Sequence, residues 1–405
     1  MAKLFGIFVL ACLLTLGDCH LSVRQASSSL AHSSGDFGTK LYKKLVADNK
    51  DNVVFSPITV YTALCMTLLA AKGDTKLQLQ KALDIKPDQN IHSELRDVLT
   101  SVLSPDQNSD VKTRLANAIY YDPAKITIGD SFRDDIINYY GLNALKRLQQ
   151  QNRERDINAW VNDITSGAIT KLVEQGEISS DKAILLLNAI FFEGSWEAMF
   201  PAELTRDMDF QKSEGDKRKV RTMHQENFFA VKRVEDEKVR VLELPYKGNR
   251  FSLYVILPDT KEGLQHLEGH LDGQVLDKIV NSMPQPRLHK VYLPKMELSY
   301  RKKLDDKLFD MGLDKLFDNR ADLSGMQREG EIKRDLYING VHHKAKIEVT
   351  ESGTRAAPVT EIKDSRNFAL PEFKADRPFM FVLREKKNDI NVLIGRFKGP
   401  AAREE

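Results

Sequence analysis

A regular alternation of apolar and polar residues runs from Val341 to Val349 and predicts a strand with one buried face. The apolar face holds Val341, His343, Ala345, Ile347 and Val349. A polar stretch without periodicity follows, and a second strand-like run extends from Phe379 to Leu383. Long loops between two strands are uncommon in compact domains and usually carry function. The pattern therefore predicts an exposed, functional loop over residues 351–371.

Apolar residues spaced three and four positions apart predict helices along the first half of the chain. The first carries Phe37, Leu41 and Leu45 with Asp36 as its cap, and others cover Ile58–Ala71 with Pro57 at the start, Asp74 to near Ile85, Ile91–Leu103, and Ile157 to near Gly167. A late helix is predicted over Asp305–Leu316.

Strand predictions dominate the second half of the chain. Ile184–Phe192 is a continuous apolar run with Asn188 in its middle, as expected of a central strand buried on both faces. Further strands are predicted over Leu115–Tyr121, Val239–Leu244, Phe251–Leu257 and Val291–Tyr300. Helices that precede strands, with few alternations between the two, indicate an α+β fold.

No linker rich in Pro, Gly or Ser divides the 405 residues, and no repeat appears, so we expect one large domain. The first residues differ from the rest. Lys3 precedes an apolar run from Leu4 to Leu16, which is followed by small residues before His20. This run is too short for a membrane anchor. We therefore expect a signal peptide at residues 1–19, a single domain at residues 20–405, and a secreted, extracellular protein without membrane attachment.

The formal net charge of +2 gives no reason to expect a nucleic-acid partner. Cys65 is the only cysteine after residue 19, and it lies in an apolar helical run, so we expect a buried, inert thiol. Short basic clusters at 146–147, 217–221 and 301–303 raise the question of a glycosaminoglycan partner. Acidic residues adjoin the last two clusters, so a solvated surface is the favoured interpretation.

Common enzyme motifs are absent from the sequence. It contains no G-x-S-x-G, no H-E-x-x-H, no paired C-x-x-C and no Gly-rich phosphate loop. His342 and His343 are the only adjacent histidines, and neighbours on a strand point to opposite faces, so they cannot share a metal. We expect no catalytic activity, no metal site and no cofactor.

Seven segments, in the same order along the chain, resemble signatures of the serpin family. They are Asn52–Pro57, Leu187–Trp196, Leu293–Lys295, Ala321–Gly325, Glu351–Ala357, Pro371–Phe379 and Leu393–Phe397. The resemblance implies the serpin fold, in which N-terminal helices pack on a large mixed central β-sheet, with further sheets and an exposed reactive-centre loop. It also implies a monomer whose partner is a serine endopeptidase.

The resemblance further implies a suicide-substrate mechanism. In the serpin family the proteinase attacks the loop as a substrate and forms an acyl-enzyme. The N-terminal half of the cut loop then inserts into the central sheet as a new strand and distorts the proteinase before it can deacylate. The hinge, where insertion begins, corresponds to Glu351, Gly353, Thr354, Ala356, Ala357 and Pro358. A buried polar cluster beneath the sheet, the shutter, corresponds to Ser56, Thr59, Asn188 and His343.

Two positions of the inserting strand depart from the family pattern. The residues that turn inward in the family register are Thr354, Ala356, Pro358, Thr360, Ile362 and Asp364. Pro358 has no N–H and would remove a ladder hydrogen bond, and Asp364 would carry a charge into the sheet. The alternative is therefore a non-inhibitory serpin that acts as a substrate, carrier or signalling partner.

The scissile bond has two candidates. Counted in the family register from Glu351 as the first residue, the seventeenth residue is Asn367, which places the bond at Asn367–Phe368. A trypsin-like pocket prefers Arg or Lys instead, because its buried carboxylate binds a cation. This chemistry favours the bond Arg366–Asn367 and leaves Lys363 as a second basic residue, whereas Phe368 suits a chymotrypsin-like pocket.

Overall fold

The strand that leads into the predicted loop belongs to a five-stranded sheet. In the computed structural model the described residues are 29–104, 110–330, 336–352 and 370–400. The strands are β1 Val53–Phe55, β2 Lys112–Tyr121, β3 Leu145–Arg147, β4 Ile184–Glu193, β5 Arg206–Ser213, β6 Asp216–Val234, β7 Val239–Pro245, β8 Phe251–Pro258, β9 Arg287–Pro294, β10 Met296–Lys303, β11 Val341–Val349, β12 Glu372–Lys374, β13 Phe379–Glu385 and β14 Ile390–Phe397.

Nine α-helices are described, the first over residues 29–47 (α1). The others are α2 Pro57–Leu68, α3 Gly73–Ala82, α4 Ile91–Leu103, α5 Asp130–Tyr140, α6 Arg153–Ile164, α7 Gly263–His270, α8 Gly273–Val280 and α9 Asp305–Phe309, with short 3-10 turns at Ala202–Leu204, Asp314–Phe317 and Ser324–Met326. Within the described ranges, no helix is both long and apolar enough to cross a membrane.

The five-stranded sheet has the order β10-β11-β4-β2-β3. Strand β11 runs antiparallel to β10 and parallel to β4, which in turn runs antiparallel to β2. Nine of the ten residues of β4 are buried, as the continuous apolar run predicted. The sheet therefore places the strand before the loop directly beside a strand that is buried on both faces.

The second sheet has nine strands in the order β1-β14-β13-β8-β7-β6-β9-β12, with β5 paired to β6. Its strand β6 is 19 residues long and pairs with β5 through its first part, with β9 through its middle and with β7 through its last. Together with the helices, these two sheets confirm the predicted α+β class.

Helix α2 joins the two sheets. All twelve of its residues are buried, and it packs against β14 of the larger sheet and against β2 and β4 of the smaller one. Ser56 is its N-cap and accepts a hydrogen bond from the backbone N–H of Thr59, while Pro57 occupies the first turn, where a missing N–H is tolerated. Cys65 lies on this helix and is buried, as predicted. Ser56 therefore lies directly under the five-stranded sheet.

Three element predictions were wrong in detail. The first helix already begins at residue 29, so Asp36 lies inside it and is not its cap. The run Val291–Tyr300 is two strands that separate at Lys295 and enter different sheets. The late helix ends at Phe309, because Gly312 adopts a φ of 92° that an α-helix does not accommodate, and a 3-10 turn follows.

Candidate functional site

The loop begins at a backbone segment that Trp196 and its neighbours hold in place. The indole Nε1–H of Trp196 donates to the carbonyl of Thr350 at 2.8 Å, and its backbone N–H donates to the carbonyl of Ser352 at 3.3 Å. The N–H of Phe200 donates to the carbonyl of Glu351 at 2.9 Å. Three successive carbonyls after β11 are therefore fixed by one short segment, which defines where the loop leaves the sheet.

The side chain of Glu351, the first predicted hinge residue, is also fastened. Its carboxylate forms an ion pair with Lys295 at 2.7 Å, at the point where β9 and β10 separate. Burial acts to raise the pKa of Glu351, but the contact with Lys295 and a backbone hydrogen bond outweigh it and hold the pKa below its ordinary value. The hinge therefore starts from a charged, anchored residue rather than from a solvated one.

The far end of the loop is attached to the other sheet. The N–H of Lys290 donates to the carbonyl of Pro371 at 3.0 Å, and β12 then pairs in parallel with β9. Phe373 is fully buried, and Arg240 donates to the carbonyl of Glu372 at 2.9 Å. The two ends of the predicted loop thus lie on different sheets, which fits a segment that links them.

Residues 353–369 lie outside the described residues. The predicted positions that fall there are Gly353, Thr354, Ala356, Ala357, Pro358, Thr360, Ile362, Lys363, Asp364, Arg366, Asn367 and Phe368. Their roles in the hinge and the scissile bond remain predictions from the sequence.

The topology of the sheet defines where a returning strand fits. The loop continues β11, so a segment that folds back beside β11 must run antiparallel to it. Strands β11 and β4 are parallel over Val341–Ile347 and Leu186–Phe192, so a strand placed between them is antiparallel to both neighbours. Between β10 and β11, which are antiparallel, it would be parallel to one of them. We call the β11–β4 boundary the seam, and in this structure direct pairing closes it.

The four predicted shutter residues come together across the seam. His343 on β11 and Asn188 on β4 are register partners, and the Nδ1 of His343 is hydrogen-bonded to the side-chain oxygen of Asn188. The backbone N–H of Ser56 donates to the Nε2 of His343 at 3.2 Å. Thr59 Oγ1 donates to the carbonyl of Ser56 at 3.2 Å. The four side chains are fully buried, so the cluster links both strands of the seam to the start of α2.

The contacts of His343 define its tautomer. A backbone N–H can only donate, so Nε2 must accept from Ser56 and carry no proton. The proton therefore resides on Nδ1 and is donated to Asn188. Burial lowers the pKa of His343 to about 3, because the charged imidazolium loses its hydration there. The shutter thus depends on a neutral histidine.

A fifth polar residue, Asn117 on β2, belongs to this cluster and was missed by the sequence analysis. It stands opposite Asn188, and its Nδ2 donates to the carbonyl of Thr59 at 3.3 Å. The only signal was a single amide within the apolar run Leu115–Tyr121. The buried Nδ2 of Asn188 and Oδ1 of Asn117 find no hydrogen-bond partner among the described residues. Each such group costs about 1–3 kcal/mol, so the closed seam is not fully satisfied.

The neutral shutter histidine predicts a loss of stability in mild acid. Because the folded pKa of about 3 lies below the ordinary value of 6.5, the unfolded chain binds the extra proton between these limits. Stability is therefore complete above pH 6.5 and falls as the pH decreases towards 3, by roughly 2 kcal/mol at pH 5. His92 and His342, whose pKa values burial also lowers, act in the same direction. Denaturant titrations at pH 7.5 and 5 measure the combined effect.

The His343→Gln variant isolates the contribution of the shutter. It should be less stable at pH 7.5 but should lose about 2 kcal/mol less than the parent between pH 7.5 and 5. His266→Gln is the matched control, because it replaces an exposed histidine outside the shutter. An unaltered pH dependence in His343→Gln would show that the shutter does not titrate as proposed.

The basic clusters found in the sequence are mostly neutralised in the structure. Lys217 and Lys219 each contact Asp209 at 2.7 Å, and Arg218 contacts Asp216 at 2.6 Å. Arg301 pairs with Glu174 and Glu177, and Lys303 with Asp305. These pairs support the interpretation of these two clusters as solvated surface. No group of three or more metal-ligating side chains occurs among the residues that the structure describes.

Comparison with known proteins gives a consistent result over nearly the whole chain. A family model described as "Serpin (serine protease inhibitor)" matches residues 32–400. The protein Iris from Ixodes ricinus is 33% identical over 385 residues, covering 92% of this chain and 99% of the relative. Leukocyte elastase inhibitor from Equus caballus is 31% identical over 385 residues, with the same coverage of each chain. The crystal structure of uncleaved ovalbumin has a TM-score of 0.83 and 30% identity, covering 92% of this chain and 100% of that chain.

Proposed function

Because the chain belongs to the serpin family, we propose that it is a secreted suicide-substrate inhibitor of serine endopeptidases, with trypsin-like enzymes as its targets. Serpins are proteinase inhibitors rather than catalysts, and members of the family inhibit through covalent complexes. The monomeric state and the preference for trypsin-like enzymes are part of the proposal.

The proposed chemistry begins as ordinary proteolysis. The hydroxyl of the proteinase serine attacks the carbonyl carbon of the residue before the scissile bond, and the peptide C–N bond breaks. The proton lost by the serine passes through the proteinase histidine to the leaving amine. The N-terminal part of the loop then remains attached to the proteinase through an ester. Inhibition follows when insertion of this part is faster than hydrolysis of the ester.

The closed parallel seam is the observation that carries this proposal. It lies directly beside the strand that continues into the loop, and it offers both neighbours of a new strand the antiparallel orientation. Direct pairing of β11 with β4 and the contact between His343 and Asn188 keep it shut. The unpartnered amide groups of Asn188 and Asn117 mean that the closed form is not optimally bonded. We expect that the entry of a strand stabilises a sheet with this arrangement.

The sequence of the hinge mostly suits insertion. Thr354, Ala356, Thr360 and Ile362 are small or β-compatible at inward-facing positions. Pro358 and Asp364 are the exceptions and favour the second candidate function, a non-inhibitory serpin that is cut without trapping the proteinase. The relatives leave this choice open, since one is named as an elastase inhibitor and another is ovalbumin.

Gel electrophoresis under denaturing conditions tests the proposal. The protein is mixed with a panel of trypsin-like, chymotrypsin-like and elastase-like proteinases. An inhibitor gives a band with the mass of the proteinase plus that of the serpin without its C-terminal peptide, and mass spectrometry of the released peptide identifies the cut bond. A proteinase whose nucleophilic serine is replaced by alanine is the control and gives no such band. Cleavage without any covalent band, across the whole panel, would support the non-inhibitory alternative.

Replacement of Pro358 by alanine should increase the fraction of encounters that end in a covalent complex. The change restores one N–H and contributes about 0.5–1.5 kcal/mol to the inserted sheet. Each ~1.4 kcal/mol on the insertion barrier changes the insertion rate tenfold. The stoichiometry of inhibition, meaning moles of serpin consumed per mole of proteinase trapped, should fall severalfold. Pro371→Ala, beyond the scissile bond, is the matched control and should leave it unchanged. If Pro358→Ala and the parent have the same stoichiometry of inhibition, Pro358 does not slow insertion.

A further inference from the structure

Residues 165–183, which connect α6 to β4, lie across the face of the five-stranded sheet opposite the shutter. We call them the strap. Their buried apolar side chains pack with α6, β2 and β4 in one hydrophobic cluster: Ile169, Leu172, Val173 and Ile178. Asn158 of α6 also holds the strap, because its side-chain oxygen accepts from the backbone N–H groups of Leu172 and Val173 at 2.7 and 3.0 Å. The strap is thus attached firmly to the part of the molecule that contains β4.

Polar contacts attach the strap to β10 and β11 as well. The carboxylate of Glu177 forms an ion pair with Arg301 of β10 at 2.9 Å, and its other oxygen lies 3.3 Å from Nδ1 of His342 on β11. The ammonium group of Lys344 on β11 donates to the carbonyl of Lys171 at 2.6 Å. These contacts join strands on one side of the seam to a segment that is packed on the other side.

The strap therefore holds the seam on the face opposite the shutter. His342 and Lys344 alternate with His343 along β11, so their side chains lie on the other face of the sheet. Entry of a strand moves β11 away from β4 by one strand spacing, about 4.8 Å. A strap that stays with β4 then lies too far from Arg301 for an ion pair with Glu177. Because partly exposed ion pairs are weaker than the burial of four apolar side chains, the polar contacts break first.

We propose that Glu177 is a brake on insertion of the loop. Its ion pair with Arg301 stabilises the closed sheet and is lost when the seam opens, so it raises the barrier to opening. Within the strap, Glu177 also accepts from the backbone N–H of Glu174 at 2.7 Å. Glutamine keeps an oxygen for that hydrogen bond and removes the charge, so Glu177→Gln weakens only the contacts across the seam. Its effect on inhibition rests on the proposed function, whereas its effect on opening does not.

Amide hydrogen exchange of the intact protein measures opening of the seam. In Glu177→Gln the backbone amides of β4 and β11 should exchange roughly threefold faster than in the parent, or more. Those of β13 and β14, in the nine-stranded sheet, should not change. Glu297→Gln is the matched control, because it removes one negative charge and a 3.0 Å ion pair with Lys346 that joins β10 to β11 on one side of the seam. Its seam amides should exchange as in the parent.

Two further measurements separate the charge of Glu177 from a merely structural role. Exchange at the seam of the parent should accelerate between about 0.05 and about 0.5 M NaCl, because salt screens the ion pair, and Glu177→Gln should lose most of this acceleration. Adding Arg301→Gln to Glu177→Gln should accelerate exchange little further, because both substitutions remove the same pair.

Proteinase assays measure the consequence for inhibition. At saturating serpin, the covalent complex should form faster with Glu177→Gln than with the parent, because insertion meets a lower barrier. The proposal is overturned if seam exchange or the rate of complex formation is unchanged in Glu177→Gln, if Glu297→Gln accelerates seam exchange equally, or if exchange in the nine-stranded sheet accelerates alike. A parent that forms no covalent complex with any proteinase would contradict the proposed function, and the exchange measurements would still decide whether Glu177 holds the seam.

Discussion

A single cut in the loop should raise the melting temperature of this protein by about 10 °C or more. Insertion replaces direct pairing of β11 with β4 by pairing of each strand with the new one, so the sheet gains one additional ladder. A ladder of about eight hydrogen bonds at ~1 kcal/mol each contributes about 8 kcal/mol. For a chain of this size, each 1 kcal/mol shifts the melting temperature by roughly 1–2 °C. Calorimetry of the intact and the cut protein measures the difference.

Two hinge variants make this test specific. Thr354 faces inward in the family register, and Thr354→Arg would place an unpaired charge inside the sheet, which is strongly unfavourable. Its cut form should show no increase in melting temperature. Arg355 faces outward, so Arg355→Ala should retain the full increase. If the cut parent melts at or below the temperature of the intact protein, the closed seam is not a strained state and the insertion mechanism fails.

The Arg366→Ala variant should lose at least a hundredfold in its rate of covalent complex formation with trypsin-like proteinases. Removing the arginine leaves the carboxylate of the proteinase pocket without its partner, and breaking such a buried pair costs about 3–5 kcal/mol. At ~1.4 kcal/mol per factor of ten, the loss exceeds a hundredfold. The shutter and both loop attachments lie elsewhere, so the melting temperature should not change. The association rate with trypsin, measured under pseudo-first-order conditions, gives the result.

Two matched variants separate Arg366 from its neighbours. Lys363→Ala removes the other basic residue of this part of the loop and should leave the rate with trypsin almost unchanged. Phe368→Ala should lower the rate only with chymotrypsin-like proteinases, if the bond after Phe368 is used by them. If Arg366→Ala still traps trypsin at the parent's rate, Arg366 is not the residue that the proteinase pocket binds. That residue would then be Lys363, or Asn367 at the nominal bond Asn367–Phe368.

The periodicity of the sequence was sufficient to predict β11 and β4, the two strands that form the seam. Strand β11 extends from Val341 to Val349, as the alternation predicted. The prediction succeeded because one face of the strand is buried, so every second residue must be apolar. The continuous apolar run of β4 likewise identified a strand buried on both faces. Hydrophobic pattern alone did not find β5 and β6, because their charged residues satisfy one another on an exposed surface.

The sequence by itself determined the serpin family and the α+β class, because these depend on local patterns and on motif order. The four shutter residues were predicted from the resemblance, and their role stays a prediction. Tertiary structure alone decided how they act together. Parallel pairing of β11 with β4 brings together His343 and Asn188, which are 155 positions apart, and this contact places the proton on Nδ1 of His343. Asn117 joins the cluster through a hydrogen bond to Thr59, 58 positions away. Five lysines that line one concave surface show the same limit, since they become neighbours only when four distant segments of the chain fold together: Lys43, Lys50, Lys212, Lys261 and Lys398. Spacing along a chain reports what a residue can contact in its own helix or strand, whereas packing decides which distant charge or amide stands opposite it.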